Sequence, residues 1–232
     1  MTELPTQLPF NFSINQQVSL DDYIVGDNGE MMSELFNDHS LFLFIWSANK
    51  LGKTHLLTAL NAQYLAQKKT ALLVPLKNHQ FLHPSMLTNL ENADIVCIDD
   101  IDAIAGNKEW EHSLFHFYNK IKAKGNRLIV SACKNAVNID FALADLRSRL
   151  QWGLTYEIKE LNDDDLLMAL KNKSLKNHFQ LSHEVSSYLL NQFSRDLSKL
   201  LKLLDELAYQ SLSKQRKITV PFVKEYLNGS EQ

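Results

Sequence analysis

Ser47-Ala48-Asn49-Lys50-Leu51-Gly52-Lys53-Thr54 is the stretch whose reading decides the fold. It follows the continuous apolar run Leu41-Phe42-Leu43-Phe44-Ile45-Trp46. It opens a segment with Leu57, Leu60, Ala62 and Leu65 at helical spacing, which predicts a helix over residues 54–67. Gly-Lys-Thr between a buried strand and a helix start is the core of a phosphate loop. Backbone N–H groups there point at phosphate oxygens, the lysine pairs with the β/γ-phosphates, and the hydroxyl holds Mg²⁺. Those roles fall to Lys53 and Thr54, with Lys50, Leu51, Gly52 and His55 as further nucleotide contacts. Ser47 stands where the full pattern has its first glycine.

A second motif lies downstream. Ile95-Val96-Cys97-Ile98-Asp99-Asp100 is an apolar strand ending in two carboxylates. Asp99 is placed to bind Mg²⁺, directly or through water, and Asp100 to polarise a water. Further strands are expected at residues 70–75, 127–131 and 155–158. A helix over residues 110–122 puts Trp110, Leu114, Phe117, Tyr118 and Ile121 on one stripe. Apolar strands alternating with helices predict an α/β fold: a five-stranded parallel P-loop sheet between helices.

After Glu160 the alternation stops. Asn162 caps a helix whose first turn carries Asp163, Asp164 and Asp165, favourable against the helix dipole. Ser182 caps a second helix, through Leu190. A third is expected over residues 195–212, with Leu197, Leu200, Leu204, Leu207 and Leu212 inward, and a short fourth starts near Pro221. This predicts a small all-α lid. The expected organisation is an extended arm at residues 1–15, an αβα core at 16–159 and the lid at 160–232. Tyr23, Ile24 and Val25 form an apolar cluster before the turn residues Asp27, Asn28 and Gly29. Tyr23 and Val25 complete the candidate nucleotide-binding set.

Composition narrows the class. The 232 residues are 45% hydrophobic and 22% charged, ordinary for a soluble globular protein. The net charge of −3 argues against a dedicated nucleic-acid-binding domain, which carries a basic surplus. The run at residues 41–46 is too short to cross a bilayer, and the N-terminus lacks a signal-peptide pattern. A cytoplasmic protein without membrane association is expected. Cys97 and Cys133 have no metal-ligand spacing and read as reduced packing residues. The histidine pairs His79/His83 and His112/His116 lack companion ligands. The basic runs Lys171/Lys173/Lys176 and Lys214/Arg216/Lys217 read as solvated helix faces. Arg147 and Arg149, one residue apart, present guanidinium groups at a domain edge. Such a group serves either a surface salt bridge or the γ-phosphate of a neighbouring subunit.

Taken together, Gly52-Lys53-Thr54-His55-Leu56-Leu57, Asp99-Asp100-Ile101 and Ser148-Arg149-Leu150-Gln151-Trp152-Gly153-Leu154 resemble the DnaA/Hda branch of the AAA+ ATPases. Val74-Pro75-Leu76, Val96-Cys97-Ile98-Asp99 and Lys217-Ile218-Thr219-Val220-Pro221-Phe222-Val223-Lys224-Glu225 are closer to its Hda-type regulatory inactivators. The resemblance covers nearly the whole chain. It implies a plan that stops after the lid, without the helix-turn-helix domain of the initiators. It also implies an N-terminal peptide that binds the sliding clamp of DNA polymerase III. Gln7-Leu8-Pro9-Phe10-Asn11-Phe12 fits, with Leu8, Phe10 and Phe12 entering an apolar groove while the Gln7 amide hydrogen-bonds. The implied mechanism acts in trans. The clamp-bound protein, carrying ADP or another nucleotide with or without Mg²⁺, docks on ATP-bound DnaA. Arg149 then promotes hydrolysis of the partner's ATP and prevents re-initiation. Self-association and indirect or weak DNA contact are further expectations.

Three departures from the family pattern argue against robust ATP hydrolysis by the chain itself. They are Ser47 in the loop, Ser131 or Cys133 at the polar sensor position after the fourth strand, and Ser198 where the lid carries a sensor arginine, with Arg195 one turn earlier. Two alternatives stay open: a self-sufficient AAA+ ATPase that remodels or loads a replication complex, and a DnaA-like DNA-associated adaptor.

Overall fold

Successive residues of a strand point to opposite faces, so a strand covered on both sides must be apolar on both. The chain forms five strands: β1 (Phe42–Trp46), β2 (Ala71–Pro75), β3 (Ile95–Asp99), β4 (Arg127–Ala132) and β5 (Leu154–Glu157). The computed structural model describes residues 23–37 and 40–229. In it these strands form one parallel sheet in the order β2-β3-β4-β1-β5. The three central strands are buried through their middles, whereas the edge strands β2 and β5 are more exposed. The proposed clamp-binding residues Gln7, Leu8, Phe10 and Phe12 lie outside the described residues.

Strand parity sorts the core into two layers. Phe44, Val96, Ile98 and Val130 pack with α3 (Lys108–Lys124) and α4 (Ala144–Leu150). Leu43, Ile45, Ile95, Cys97 and Ile129 pack with α1 (Gly29–Phe36) and α2 (Lys53–Ala66). All five stripe residues of α3 are buried. That helix runs further at both ends than the apolar stripe. Asn107 caps it by accepting from the Trp110 N–H, and Gly125, at φ +70°, ends it in the left-handed conformation. Leu65, expected inward on α2, is exposed, because the core-facing stripe of that helix is set by Leu56, Leu57, Leu60 and Tyr64.

The lid consists of α5 (Asp163–Lys176), α6 (His183–Gln192), α7 (Leu197–Lys214) and α8 (Val220–Gly229) around their own apolar cluster. Asn162 and Asp165 form a capping box, and Ser182 caps α6. Helix α7 starts at Leu197 rather than Arg195, because the Asp196 carboxylate accepts from the N–H groups of Ser198 and Lys199. Leu200, Leu203, Leu204 and Leu207 face inward, whereas Leu212, one turn past the cluster, is 78% exposed. Among the described residues no helix is long and apolar enough to cross a membrane.

One polar residue ties the layers together. Arg127, first in β4, is 3% exposed. Its guanidinium donates to the carbonyls of Leu35 (2.8 Å), Glu34 (2.7 Å) and Ser40 (3.0 Å) and to the Tyr64 hydroxyl (3.0 Å). It thereby satisfies carbonyls at the C-terminal end of α1 that lack helical partners. Arg127→Ala leaves those carbonyls unsatisfied and is expected to lower the free energy of unfolding by at least about 3 kcal/mol. Arg127→Lys should recover less than half of that, since an ammonium cannot reproduce the planar fork. Urea unfolding of the two variants measures this, and equal stability of Arg127→Ala and wild type would refute it.

Candidate functional site

The loop between β1 and α2 turns on Gly52, whose φ of +82° suits a residue without Cβ. Ser47, in place of the pattern's first glycine, is buried and organises the loop. Its hydroxyl donates to the Asn49 carbonyl at 2.8 Å. Lys53 Nζ donates to the Ser47 carbonyl and the Ser47 hydroxyl, both at 2.9 Å, and to the Asn49 carbonyl at 3.4 Å. The lysine is therefore held beneath its own loop, with its ammonium at the centre of the phosphate-binding turn. Thr54 and His55 follow on the exposed side of the helix start.

The Thr54 hydroxyl donates to Asp99 Oδ2 at 2.5 Å, and the Ser131 hydroxyl donates to Asp99 Oδ1. The Asp100 N–H in turn donates to Ser131 Oγ at 3.1 Å. A hydroxyl beside a carboxylate is a hard-oxygen donor pair of the kind Mg²⁺ takes together with phosphate oxygens, so Thr54 and Asp99 fit that ion. Of the two sensor candidates, Ser131 joins this network. Cys133 lies past the end of β4, exposed rather than packed, where its N–H donates to Asp102 Oδ1 at 3.0 Å. Burial and then the neighbouring Asp102 push the Cys133 thiol up, so it stays protonated at neutral pH. Cys97 is fully packed, its thiol pushed up to about 12 by burial. Asp100 sits in the left-handed conformation at φ +54°. Its carboxyl is raised by burial, then by Asp99 and Asp102.

A cavity of about 880 Å³ lies between the core and the lid, within the size range of small-ligand sites. Residues 48–52 and His55 form one wall. Tyr23, Ile24 and Asn28 form another, and Arg195, Ser198 and Leu201 close it from the lid. Tyr23 is packed deeply enough for burial to push its hydroxyl up to about 12. Val25 does not line the cavity. Its carbonyl accepts from the N–H and Nδ2 of Asn28, both at 3.0 Å, which turns the chain so that Val25 is exposed.

Asn28, unflagged by any sequence pattern, is 4% exposed. Its Nδ2 donates to the Lys159 carbonyl at 3.1 Å and its Oδ1 accepts the Lys159 N–H at 2.7 Å. Asn49 Nδ2 donates to Glu160 Oε1 at 2.5 Å. The segment joining core to lid is thus pinned by one side chain from the aromatic wall and one from the phosphate loop. At the lid edge, Arg195 pairs with Asp163 at 2.9 Å, and Ser198 donates to the Asp196 cap.

Arg147 and Arg149 lie in the last turn of α4, where cations suit the helix dipole. Neither lines the cavity of its own chain. Arg149 is half-buried beside Tyr118, whose hydroxyl burial pushes up and Arg149 pulls only partly back. Among the described residues no acidic side chain pairs with Arg149. Within the basic runs of the lid, Lys173 pairs with Asp205 at 2.9 Å, and Arg216 with Glu225 at 2.8 Å. His79 lies within one 3₁₀ segment and His83 caps the next, so the two do not share a helix. Lone tight turns cannot set the i, i+4 geometry of a metal pair.

Comparison with known proteins agrees with this geometry. A family model of the bacterial DnaA ATPase domain matches residues 15–157, and a model of the Hda lid domain matches residues 163–227. An uncharacterised protein of Haemophilus influenzae is 37% identical over 228 residues, covering 96% of this chain and 98% of that protein. Domain III of the Thermotoga maritima replication initiation protein DnaA superposes with a TM-score of 0.78 at 17% identity, over 93% of this chain and 97% of that one. AMPPCP-bound DnaA from Aquifex aeolicus gives 0.70 at 21% identity, over 88% and 69%.

The crowding of Asp99, Asp100 and Asp102 has a testable consequence. The folded state holds the Asp100 proton more tightly than the unfolded chain does, so this group costs stability as pH rises through the carboxylate range. Asp100→Asn removes that cost and keeps a residue that tolerates the left-handed backbone. It is expected to raise Tm at neutral pH, with the gain shrinking toward about pH 3. Calorimetry across that range measures it, and an unchanged or lower Tm at pH 7 contradicts the repulsion.

Proposed function

This chain belongs to the DnaA family of AAA+ proteins and carries an Hda-type lid, and on that premise we propose that it is a regulator that switches off the replication initiator. It holds a nucleotide, ADP in the working state, binds the polymerase sliding clamp through its N-terminal arm (residues 1–15), and offers Arg149 to the ATP of DnaA. The observation that carries this reading is the position of Arg149. It lies beside Tyr118, in the last turn before the segment that enters β5, whereas the phosphate loop leaves the far end of β1. Five residues of strand separate the two ends by about 13 Å. An unpaired cation that far from its own nucleotide site is of use to a triphosphate on another molecule.

In this reading Lys53, the N–H groups of the loop and the helix start hold the phosphates, and Tyr23 and Asn28 shape the wall beside the base. Thr54 and Asp99 would hold Mg²⁺, which neutralises phosphate charge when bound. The partner's chemistry is phosphoryl transfer to water. A guanidinium reaching its γ-phosphate stabilises charge that develops only in the transition state. Ser131 donates to Asp99 and Ser198 to Asp196, so neither hydroxyl supplies a cation to a γ-phosphate in cis. This supports a chain that holds nucleotide more than it hydrolyses it. The assembled Thr54–Asp99 pair favours the alternative of a self-sufficient ATPase, and hydrolysis assayed without DnaA reads it directly.

Arg149→Ala is expected to reduce stimulated hydrolysis of DnaA-bound ATP by at least about a hundredfold while ADP binding and clamp binding stay at wild-type levels. Retained stimulation sinks the assignment. Removing residues 1–12 should abolish clamp binding, measured on the immobilised clamp, without altering ADP affinity. Wild-type clamp binding by the shortened chain would return the arm to a mere tail and favour the adaptor reading.

A further inference from the structure

A large aromatic side chain stands in solvent three residues after Arg149. Trp152 is 60% exposed, although burying an indole is among the larger single gains open to a fold. Its placement is fixed. The Trp152 N–H donates to the Arg149 carbonyl at 3.1 Å, so one turn at the end of α4 sets both residues. The next residue, Gly153, has φ +119°, and a Cβ there would come within 2.7 Å of Phe42 Cδ1 and 2.9 Å of the Phe42 carbonyl oxygen. Packing of β5 against β1 therefore locks the backbone that holds the indole outward. Lys122 Nζ lies 4.6 Å from the ring centroid and steadies the ring by a cation–π contact. Beside it opens a shallow cleft of about 200 Å³ walled by Phe42, Tyr118, Lys122 and Trp152. Phe42 and Tyr118 stack edge to face at 5.2 Å, and Tyr118 is the residue next to Arg149.

Arg149, the cleft and Trp152 thus lie together at the end of α4, with the buried Tyr118 beneath them. A rigid, exposed aromatic beside arginine is the composition of an interface centre rather than of ordinary surface. Arg149 and Lys122 give it positive charge, which complements the anionic phosphates of a bound triphosphate. We infer that Trp152 is the apolar anchor that docks this face on the triphosphate-bearing edge of a partner P-loop module, and that Lys122 holds the anchor in its docking pose. This rests on the reading of Arg149 as acting in trans. Arg149 contributes to the chemistry, while Trp152 is a positioning residue that contributes affinity and aim. Two cations are too few to support a nucleic-acid footprint on a chain of net charge −3.

The test titrates the full chain, loaded with clamp on DNA, against ATP-bound DnaA. It reads the half-saturating concentration, the plateau rate of hydrolysis and, separately, equilibrium binding. Trp152→Ala is expected to raise the half-saturating concentration and the dissociation constant by about tenfold or more with the plateau within about twofold of wild type. Trp152→Phe should restore most of the loss, and Lys122→Ala should raise the half-saturating concentration a few-fold. Arg149→Ala should show the opposite split, a collapsed plateau with binding weakened no more than a few-fold. If Trp152→Ala binds like wild type while Arg149→Ala collapses the plateau, the anchor is wrong and the trans arginine stands. If Arg149→Ala keeps its plateau, the trans reading falls, and the Trp152→Ala binding constant alone decides the docking face. If sedimentation shows Trp152→Ala breaking self-association while DnaA binding is unchanged, the face serves a second copy of this chain and the inference is overturned.

Discussion

Asp99 accepts hydrogen bonds from Thr54 and from Ser131, and through them it holds the first turn of α2, the end of β3 and the end of β4 at one point. A carboxylate that is 2% exposed is costly unless it is satisfied. Its satisfaction requires that these three elements end together. The sheet order brings them into that position: β4 lies between β3 and β1, and the strand carrying the phosphate loop is one place removed from the strand carrying Asp99. The loop itself is organised around a second buried polar group, the Lys53 ammonium, which Ser47 and Asn49 hold through oxygen acceptors. Replacing the pattern's glycine by Ser47 does not open the loop. It supplies one more acceptor for the lysine.

Topology then separates two groups of residues. In a parallel sheet every strand-to-helix connection emerges at one edge and every helix-to-strand connection returns at the other. The phosphate loop belongs to the first kind, between β1 and α2. Arg149 and Trp152 belong to the second, between α4 and β5. Ligands of open α/β sheets bind at the carboxyl ends of the strands, and α4 carries Arg149 to the opposite end. The same separation keeps the exposed indole and Arg149 away from the cavity between core and lid.

The lid is tied to this core by polar contacts more than by a shared apolar cluster. The lid has its own cluster, and the connection between the bodies passes through Lys159 and Glu160, held by Asn28 and Asn49. One of these anchors belongs to the wall beside Tyr23 and the other to the phosphate loop. Both line the cavity, so a ligand that fills it touches both of the groups that hold the lid connection.

Apolar strands, Gly52-Lys53-Thr54 after the first, Asp99 closing the third, and the caps Asn162 and Ser182 are local signals. Each is written within a few residues of where it acts, so the P-loop sheet and the all-α lid were legible in the sequence. Other features depend on partners far along the chain. The choice of Ser131 over Cys133, the outward turn of Val25 and the exposure of Leu65 and Leu212 follow from packing between distant elements. So do the role of Arg127 at the end of α1 and the grip of Asn28 on Lys159. Arg149 was visible as a residue, but its freedom from acidic partners and its distance from its own loop were decided by the path of α4 into β5. Local sequence determines which groups are available and what backbone they favour. Burial and pairing are long-range properties, and only the packed sheet, helices and lid could decide them.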